Sequence, residues 1–226
     1  ASGRSSVASV AAVGPFVAFK SSGRDLVEEP ATQGAQTFRA NLEDLSVALA
    51  SVSNHGRDAN GSTATPALDG DGTLLVVPAQ ATNLARGSRW DDDRGSAWHL
   101  FSRDFIAETT TQETTAASPA GLQLPPAACG LVDLQCGSFS PDLTLDGRYV
   151  VFDSNAGNLD ASVPDDNAQF DVFVLDRVTG QTRLLSRNAD GEAADGMSDA
   201  PEIAADGRWV VFRSRAADLG PEGIYV

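Results

Sequence analysis

The 226-residue sequence predicts an all-β protein assembled from copies of one four-stranded antiparallel unit. Three observations carry that prediction. The stretch "SPDLTLDGRYVVF", Ser140 to Phe152, returns sixty residues later as "APEIAADGRWVVF", Ala200 to Phe212, with Pro, Asp-Gly-Arg, an aromatic, Val-Val and Phe at matching positions. Apolar residues run without alternation through Tyr149 to Phe152 and through Trp209 to Phe212. An antiparallel strand of that kind needs cover on both faces. Helical periodicity, finally, is close to absent. Four-stranded sheets that repeat and cover one another on both faces are the blades of a β-propeller.

The unit can be followed along the chain, each copy read as strands A to D. Copy one spans about 8–56, with "SVAAVGPFVAF" (Ser9 to Phe19) for the A–B hairpin and Gln36 to Ser51 for strands C and D. "TFRANLEDLSVALA" in this copy has apolar spacing compatible with a helix, but its alignment to strands C and D of copy three favours strands. Copy two spans about 66–115, with "PALDGDGTLLVV" (Pro66 to Val77) and His99 to Glu113. A segment at about 116–138, rich in Ala, Pro and Gly and without counterpart elsewhere, reads as an inserted loop. Copy three, about 141–191, is the best preserved and carries "FDVFVLDRVTGQTRLLS" (Phe170 to Ser186). A partial fourth copy occupies about 201–226. The chain therefore holds about three and a half blades, and an open or incomplete ring is expected.

Composition narrows the function. The net charge is −15 and Lys20 is the only lysine. Such a surface repels nucleic acid and anionic membranes, so neither is expected as a partner. No apolar run approaches the ~18 residues of a membrane-spanning helix. The chain opens on "ASGRSSVASV" without Met or a visible signal peptide and ends on "EGIYV", mid-strand by pattern; the expectation is a piece of a longer protein. Cys129 and Cys136, the two cysteines, lie close together in "AACGLVDLQCGS". They read as a disulfide in an oxidising compartment, worth about 2–3 kcal/mol for so short a loop. Two free thiols are the alternative.

"PDLTLDGRYVVFDSNAGNL" followed by "DDNAQFDVFVLDRVTGQTRLLS" resembles the bacterial TolB-like β-propeller repeats, of the long-blade type found in secreted and surface proteins. Copy three matches nearly throughout, copy four in its first half, and copies one and two are degenerate. The resemblance implies six or seven blades in a closed ring, hence further blades outside these residues, and an extracytoplasmic bacterial location: secreted, periplasmic or cell-surface. It specifies a fold far better than a function. The reading it supports is a non-enzymatic binding or scaffold module with a protein or peptide ligand. The alternative is the propeller portion of a larger hydrolase, of peptidase or glycosidase type, whose catalytic domain lies elsewhere. A periplasmic role in envelope maintenance rests on family analogy alone.

The chemistry-bearing residues are mostly turn-formers. Asp71, Asp146 and Asp206 precede Gly and read as two-residue hairpin turns between strands A and B. In "PDDNAQFD", Asp165, Asn167 and Asp171 offer oxygen ligands at a spacing loosely like a calcium loop, making Ca²⁺ the candidate cofactor. The Gly and distal Glu of an EF-hand are missing, and Asx turns are the plainer reading. The two histidines, His55 and His99, have no nucleophile beside them in sequence, and no Gly-x-Ser-x-Gly elbow occurs. No catalytic residue is assigned. The B–C and D–A loops are long and acidic whereas the A–B and C–D turns are short, which puts the expected interaction surface on the long-loop face.

Overall fold

The computed structural model describes residues 3–28, 34–85, 98–114, 137–163, 165, 167, 169–221 and 223–225. Within them the chain forms four antiparallel sheets and no helix. Blade one consists of β1 (Ser5–Val10), β2 (Phe16–Ser21), β3 (Gln36–Asn41) and β4 (Val47–Leu49). Blade two is built from β5 (Ala67–Leu68), β6 (Leu74–Ala79), β7 (His99–Asp104) and β8 (Thr109–Gln112). Blade three contains β9 (Ser138–Leu143), β10 (Tyr149–Ser154), β11 (Asp171–Asp176) and β12 (Gln181–Leu184). Blade four has β13 (Ser198–Ile203), β14 (Val210–Ser214) and β15 (Gly223–Tyr225). Strand order within each sheet follows the chain, as a meander requires. The propeller architecture is thus the one that the repeat predicted. "TFRANLEDLSVALA" forms β3 and β4, because the helical spacing of its apolar residues is outweighed by pairing with β2 along six register positions.

In blades two and three the second strand is continuously apolar over Leu74–Val77 and Val150–Phe152 because both its faces are covered. Val150 and Phe152 point toward blade two and share a core with Leu74, Val76 and Leu100. Leu75 and Val77, one residue out of phase, pack instead with Ala18 and Leu68 on the blade-one side. Leu75, Val76, Val77, Val150 and Val151 are all fully buried. Burial of each such side chain stabilises the stack by about 1.5–3 kcal/mol. Contacts run from blade one to two, two to three and three to four. Among the described residues, the strands of blade four make no extended contact with those of blade one, so the arc is open.

The A–B connections differ from the expected two-residue turns. Thr144 N–H donates to Tyr149 C=O (3.1 Å) and Gly147 N–H to Thr144 C=O (2.9 Å), which closes a four-residue loop over 145–148. Loops 70–73 and 205–208 close in the same way. Gly147 sits at φ 65°, and Asp146 Oδ1 accepts from Thr144 Oγ1 (2.6 Å) and Arg148 N–H (3.1 Å). Asp-Gly thus shapes the turn as anticipated, but the loop is longer because its first residue reaches sideways. Leu145 N–H donates to Ala205 C=O (3.1 Å) in the next blade, and Gly70 N–H to Leu145 C=O (2.9 Å).

Candidate functional site

The long loops gather on one face and are stitched to one another across blades. The loop from blade one to blade two meets the B–C loop of blade two through Asn60, whose Nδ2 donates to Thr82 Oγ1 (2.8 Å) and whose Oδ1 accepts from Thr82 N–H (2.9 Å). The loop from blade three to blade four is held from both sides. Asn167 Nδ2 in the blade-three B–C loop donates to Ala194 C=O (2.8 Å), and Asp195 Oδ1 accepts from Ala217 N–H (2.7 Å) in blade four. Asp195 N–H and Asn188 Nδ2 both donate to the Asp218 carboxylate (3.1 and 3.0 Å). Asx side chains carry this stitching because their short carboxyl and amide groups offer acceptors and donors to backbone groups of the loop that lies alongside.

Between these loops lies a cleft of about 430 Å³ lined by Ser162, Val163, Asp165, Asn167 and the stretch Gly191–Asp195. Its apolar floor comes from Val163 and Ala194, both buried, while Glu192 and Asp195 are exposed at its rim. Three carboxyl groups, Asp165, Glu192 and Asp195, therefore line one concavity. The arrangement offers shape and negative charge for a cationic group.

Asp165 and Asn167 line this cleft, and Asp171 stands beside them, bonded to Asn167. Asp171 opens β11 and is fully buried; its Oδ1 accepts from Ser186 Oγ (2.6 Å) and its Oδ2 from Asn167 Nδ2 (3.0 Å). Asn167 turns its Oδ1 to Gln169 N–H (2.6 Å), and Asp165 Oδ1 accepts from Asn167 N–H (3.2 Å). Burial pushes the Asp171 carboxyl up to about 7, and the neighbouring Asp165 adds in the same direction. Asn167 thus meets Asp171 with its NH₂, the group that also reaches Ala194 C=O. Among the described residues no group of three or more His, Cys, Asp or Glu is placed to hold a metal ion.

The repeat explains why Asp171 stands where it does. Gln36, His99 and Asp171 are the first residues of β3, β7 and β11, and each faces a hydroxyl that follows the fourth strand of its blade. Ser51 Oγ donates to Gln36 Oε1 (2.6 Å), Thr114 Oγ1 lies 3.4 Å from His99 Nδ1, and Ser186 Oγ donates to Asp171 Oδ1 (2.6 Å). The same hydroxyls accept backbone N–H bonds from Thr37, Leu100 and Val172 (3.0–3.1 Å). This is a polar clasp at the blade edge, and His99 is one of its variants. Burial pulls the His99 imidazole down to about 4, so it is neutral at pH 7. His55 lies elsewhere, exposed in the turn after blade one.

Two features escaped the sequence. The clasp varies in residue type from blade to blade, and only its register with the repeated Ser51, Thr114 and Ser186 marks it. Asp160 is buried and gathers Ser162 N–H (2.8 Å), Leu184 N–H (2.9 Å) and Arg187 Nη2 (2.6 Å), which ties the B–C loop of blade three to its last strand. Cys129 and Cys136, read as a disulfide, lie outside the described residues, as does nearly all of the inserted loop.

The blades and their one-sided long loops define a β-propeller. No protein-family model and no curated protein matches the chain. Among solved structures, the chain is similar to a protein described as a TolB from Agrobacterium tumefaciens, with a TM-score of 0.54 at 14% identity, over 99% of this chain and 58% of that one. TolB from Acinetobacter baumannii gives 0.51 at 13% identity, over 96% and 44%. A prolyl endopeptidase structure gives 0.54 at 11% identity, over 98% of this chain and 29% of that one. The chain thus spans about half the length of the two TolB structures. Identities this low establish the fold alone.

Proposed function

We propose that these residues form a non-enzymatic binding module of an extracytoplasmic protein, whose long-loop face takes a protein or peptide partner through a cationic side chain. The observation that carries this reading is the 430 Å³ cleft between the B–C loop of blade three and the loop into blade four, with Asp165, Glu192 and Asp195 around it. A net charge of −15 favours encounter with positively charged partners at low ionic strength. Reading Cys129 and Cys136 as a disulfide supports the extracytoplasmic location. Fluorescence anisotropy with a labelled lysine-rich peptide tests the site, with a glutamate-rich peptide as control. Binding of the first alone is expected, weakened at least about fivefold by Glu192→Lys, a rim position whose bonds to Asn188 run through its backbone and survive the substitution. No binding, or binding untouched by the substitution, overturns the reading. Calorimetric titration with Ca²⁺ tests the metal assignment to Asp165, Asn167 and Asp171 separately.

The similarity to a prolyl endopeptidase favours a second reading, in which the propeller is one portion of a larger hydrolase with its catalytic domain outside these residues. A Gly-x-Ser-x-Gly elbow in the same reading frame would establish it.

A further inference from the structure

Large apolar side chains stand out from the short-turn face of blades one to three. Leu45, Ile106 and Val178 are each at least 75% exposed, and Leu145 is 45% exposed. The first three lie in the C–D turns of successive blades, and Leu145 belongs to the A–B loop of blade three. In each C–D turn the last residue of the third strand, Asn41, Asp104 or Asp176, turns its Oδ1 to the N–H two residues on (2.8–3.0 Å). The polar group is engaged by the turn and the aliphatic tip is left outside. Adjoining blades do not reach these tips. Ile106 and Val178 are exposed although blades two and three are flanked on both sides, and so are Glu108 and Gly180, the counterparts of Leu45.

Leu145 and Ile106 are the ends of a continuous apolar strip. Gly70 and Gly72 leave the A–B loop of blade two bare, and Leu145 lies against the first and Phe16 against the second; a Cβ there would come within 2.8 and 2.7 Å of them. Phe16 and Phe105 enclose the Arg39 guanidinium, 4.2 and 3.5 Å from their ring centres, and Arg39 Nη1 donates to Gly72 C=O (2.8 Å). Ile106 follows Phe105 directly. Asp71, Asp104 and Asp146, each next in sequence to a residue of the strip, accept hydrogen bonds from their own loops, and none forms an ion pair among the described residues. The Thr73 and Thr144 hydroxyls hold the Asp71 and Asp146 carboxyls below the usual carboxylate range, so both are charged at pH 7. The strip is thus apolar along its length and negative at its rim. Leu45 adds a separate sign: its backbone is left-handed (φ 60°) where blade three has Gly180, and its exposed side chain offsets little of that strain. The strain is offset once a partner covers the side chain.

We propose that the short-turn face docks a basic amphipathic helix of another protein, its apolar side over Leu145, Phe105 and Ile106 and its lysines or arginines against Asp71, Asp104 and Asp146. Charge complementarity selects the basic flanks, because the rim carboxylates have no counter-charge and Arg39 is enclosed. Turns present no open strand edge, so an extended peptide has no sheet to pair with here, and the partner brings a preformed apolar face instead. A lipid surface is opposed by the carboxylates between the tips, which would lose hydration against it. The turn bonds fix the tips before the partner arrives, which lowers the entropy lost on docking. This surface lies on the opposite face from the acidic cleft and acts independently of it.

Fluorescence anisotropy with a labelled leucine–lysine peptide, its leucines on one helical face, tests this. The control is a peptide of the same composition whose order scatters the leucines. Both are measured on the wild-type chain and on Glu192→Lys, in which the long-loop cleft is closed to lysine. The amphipathic peptide is expected to bind both proteins at least about tenfold more tightly than the control. Ile106→Ser with Leu145→Ser is expected to weaken that binding at least about tenfold, with an unchanged far-ultraviolet circular dichroism spectrum of the protein. Ile106→Lys, a single change at an exposed tip, serves where the pair disturbs the loops, and predicts the same loss. Equal binding of the two peptides overturns the proposal. So does binding that survives these substitutions, or that is lost with Glu192→Lys. Co-sedimentation with phosphatidylcholine vesicles that the serine pair abolishes also overturns it, by assigning the face to lipid.

Discussion

Leu45 stands at φ 60° and Glu108 at φ 54° in the turns between the third and fourth strands of blades one and two, where blade three has Gly180 at φ 70°. A left-handed backbone costs a residue with a Cβ roughly 1–2 kcal/mol, of which glycine's greater freedom in the unfolded chain returns part. Leu45 is also 78% exposed, so its side chain contributes little packing. Leu45→Gly is therefore expected to raise stability by about 0.5–1 kcal/mol, read as a higher urea midpoint with an unchanged slope. His99 supplies a test by pH. Its folded pKa of about 4 lies below the ordinary 6.5, so between those values the unfolded chain binds more protons and stability falls as the pH drops. Gln36 fills the same clasp position in blade one without titrating. His99→Gln is thus expected to remove roughly 2–3 kcal/mol of the loss between pH 7 and pH 4, seen by urea unfolding at both values. Asp171 works in the opposite sense: with its folded pKa near 7, its contribution declines as the pH rises from about 4 through 7. The positive φ at Leu45 was readable only through alignment to Gly180, because nothing in leucine itself marks such a position.

At the scale of elements, strand identity followed directly from the unbroken apolar runs and their repetition, whereas turn geometry did not. Asp-Gly predicts a tight turn, and the turn is there, but its length depends on a neighbouring blade. Leu145 leaves the hairpin register because its N–H and C=O serve the blades on either side. A similar dependence governs the start of the blade-three B–C loop, which Asp160 holds to its blade. Asp160→Ala would leave the Leu184 N–H and the Arg187 guanidinium without their carboxylate. A loss of about 2–4 kcal/mol is expected in urea denaturation, less for Asp160→Asn, which keeps an acceptor oxygen. The exposed pair Arg213–Asp199, at 2.6 Å on the uncovered side of blade four, makes a useful contrast, since an ion pair in water contributes little.

For the whole molecule, four blades lie in an arc whose ends do not meet among the described residues. The burial difference between blades three and four follows from that. Val150 and Val151 are fully buried between neighbours, while Val210 and Val211 at the same positions of blade four are only half-buried. The cleft is likewise a property of the assembly, since its walls are Ser162, Val163, Asp165 and Asn167 of one loop and Gly191–Asp195 of another. Those segments were legible as long and acidic, which located the face. Which carboxylates would converge was not legible, because convergence depends on how adjacent blades are rotated against each other.

By itself the sequence determined the repeat, the four strands of each unit and the sidedness of its loops, all of which are local consequences of apolar phase and turn chemistry. Only the tertiary structure decided what Asp171 does, how long the A–B loops are, and which faces are left uncovered. Each of those depends on groups sixty or more residues apart being placed side by side, or, for Asp171, on a buried hydroxyl fifteen residues away. Phase along a strand says which way a side chain points, but not what stands opposite it.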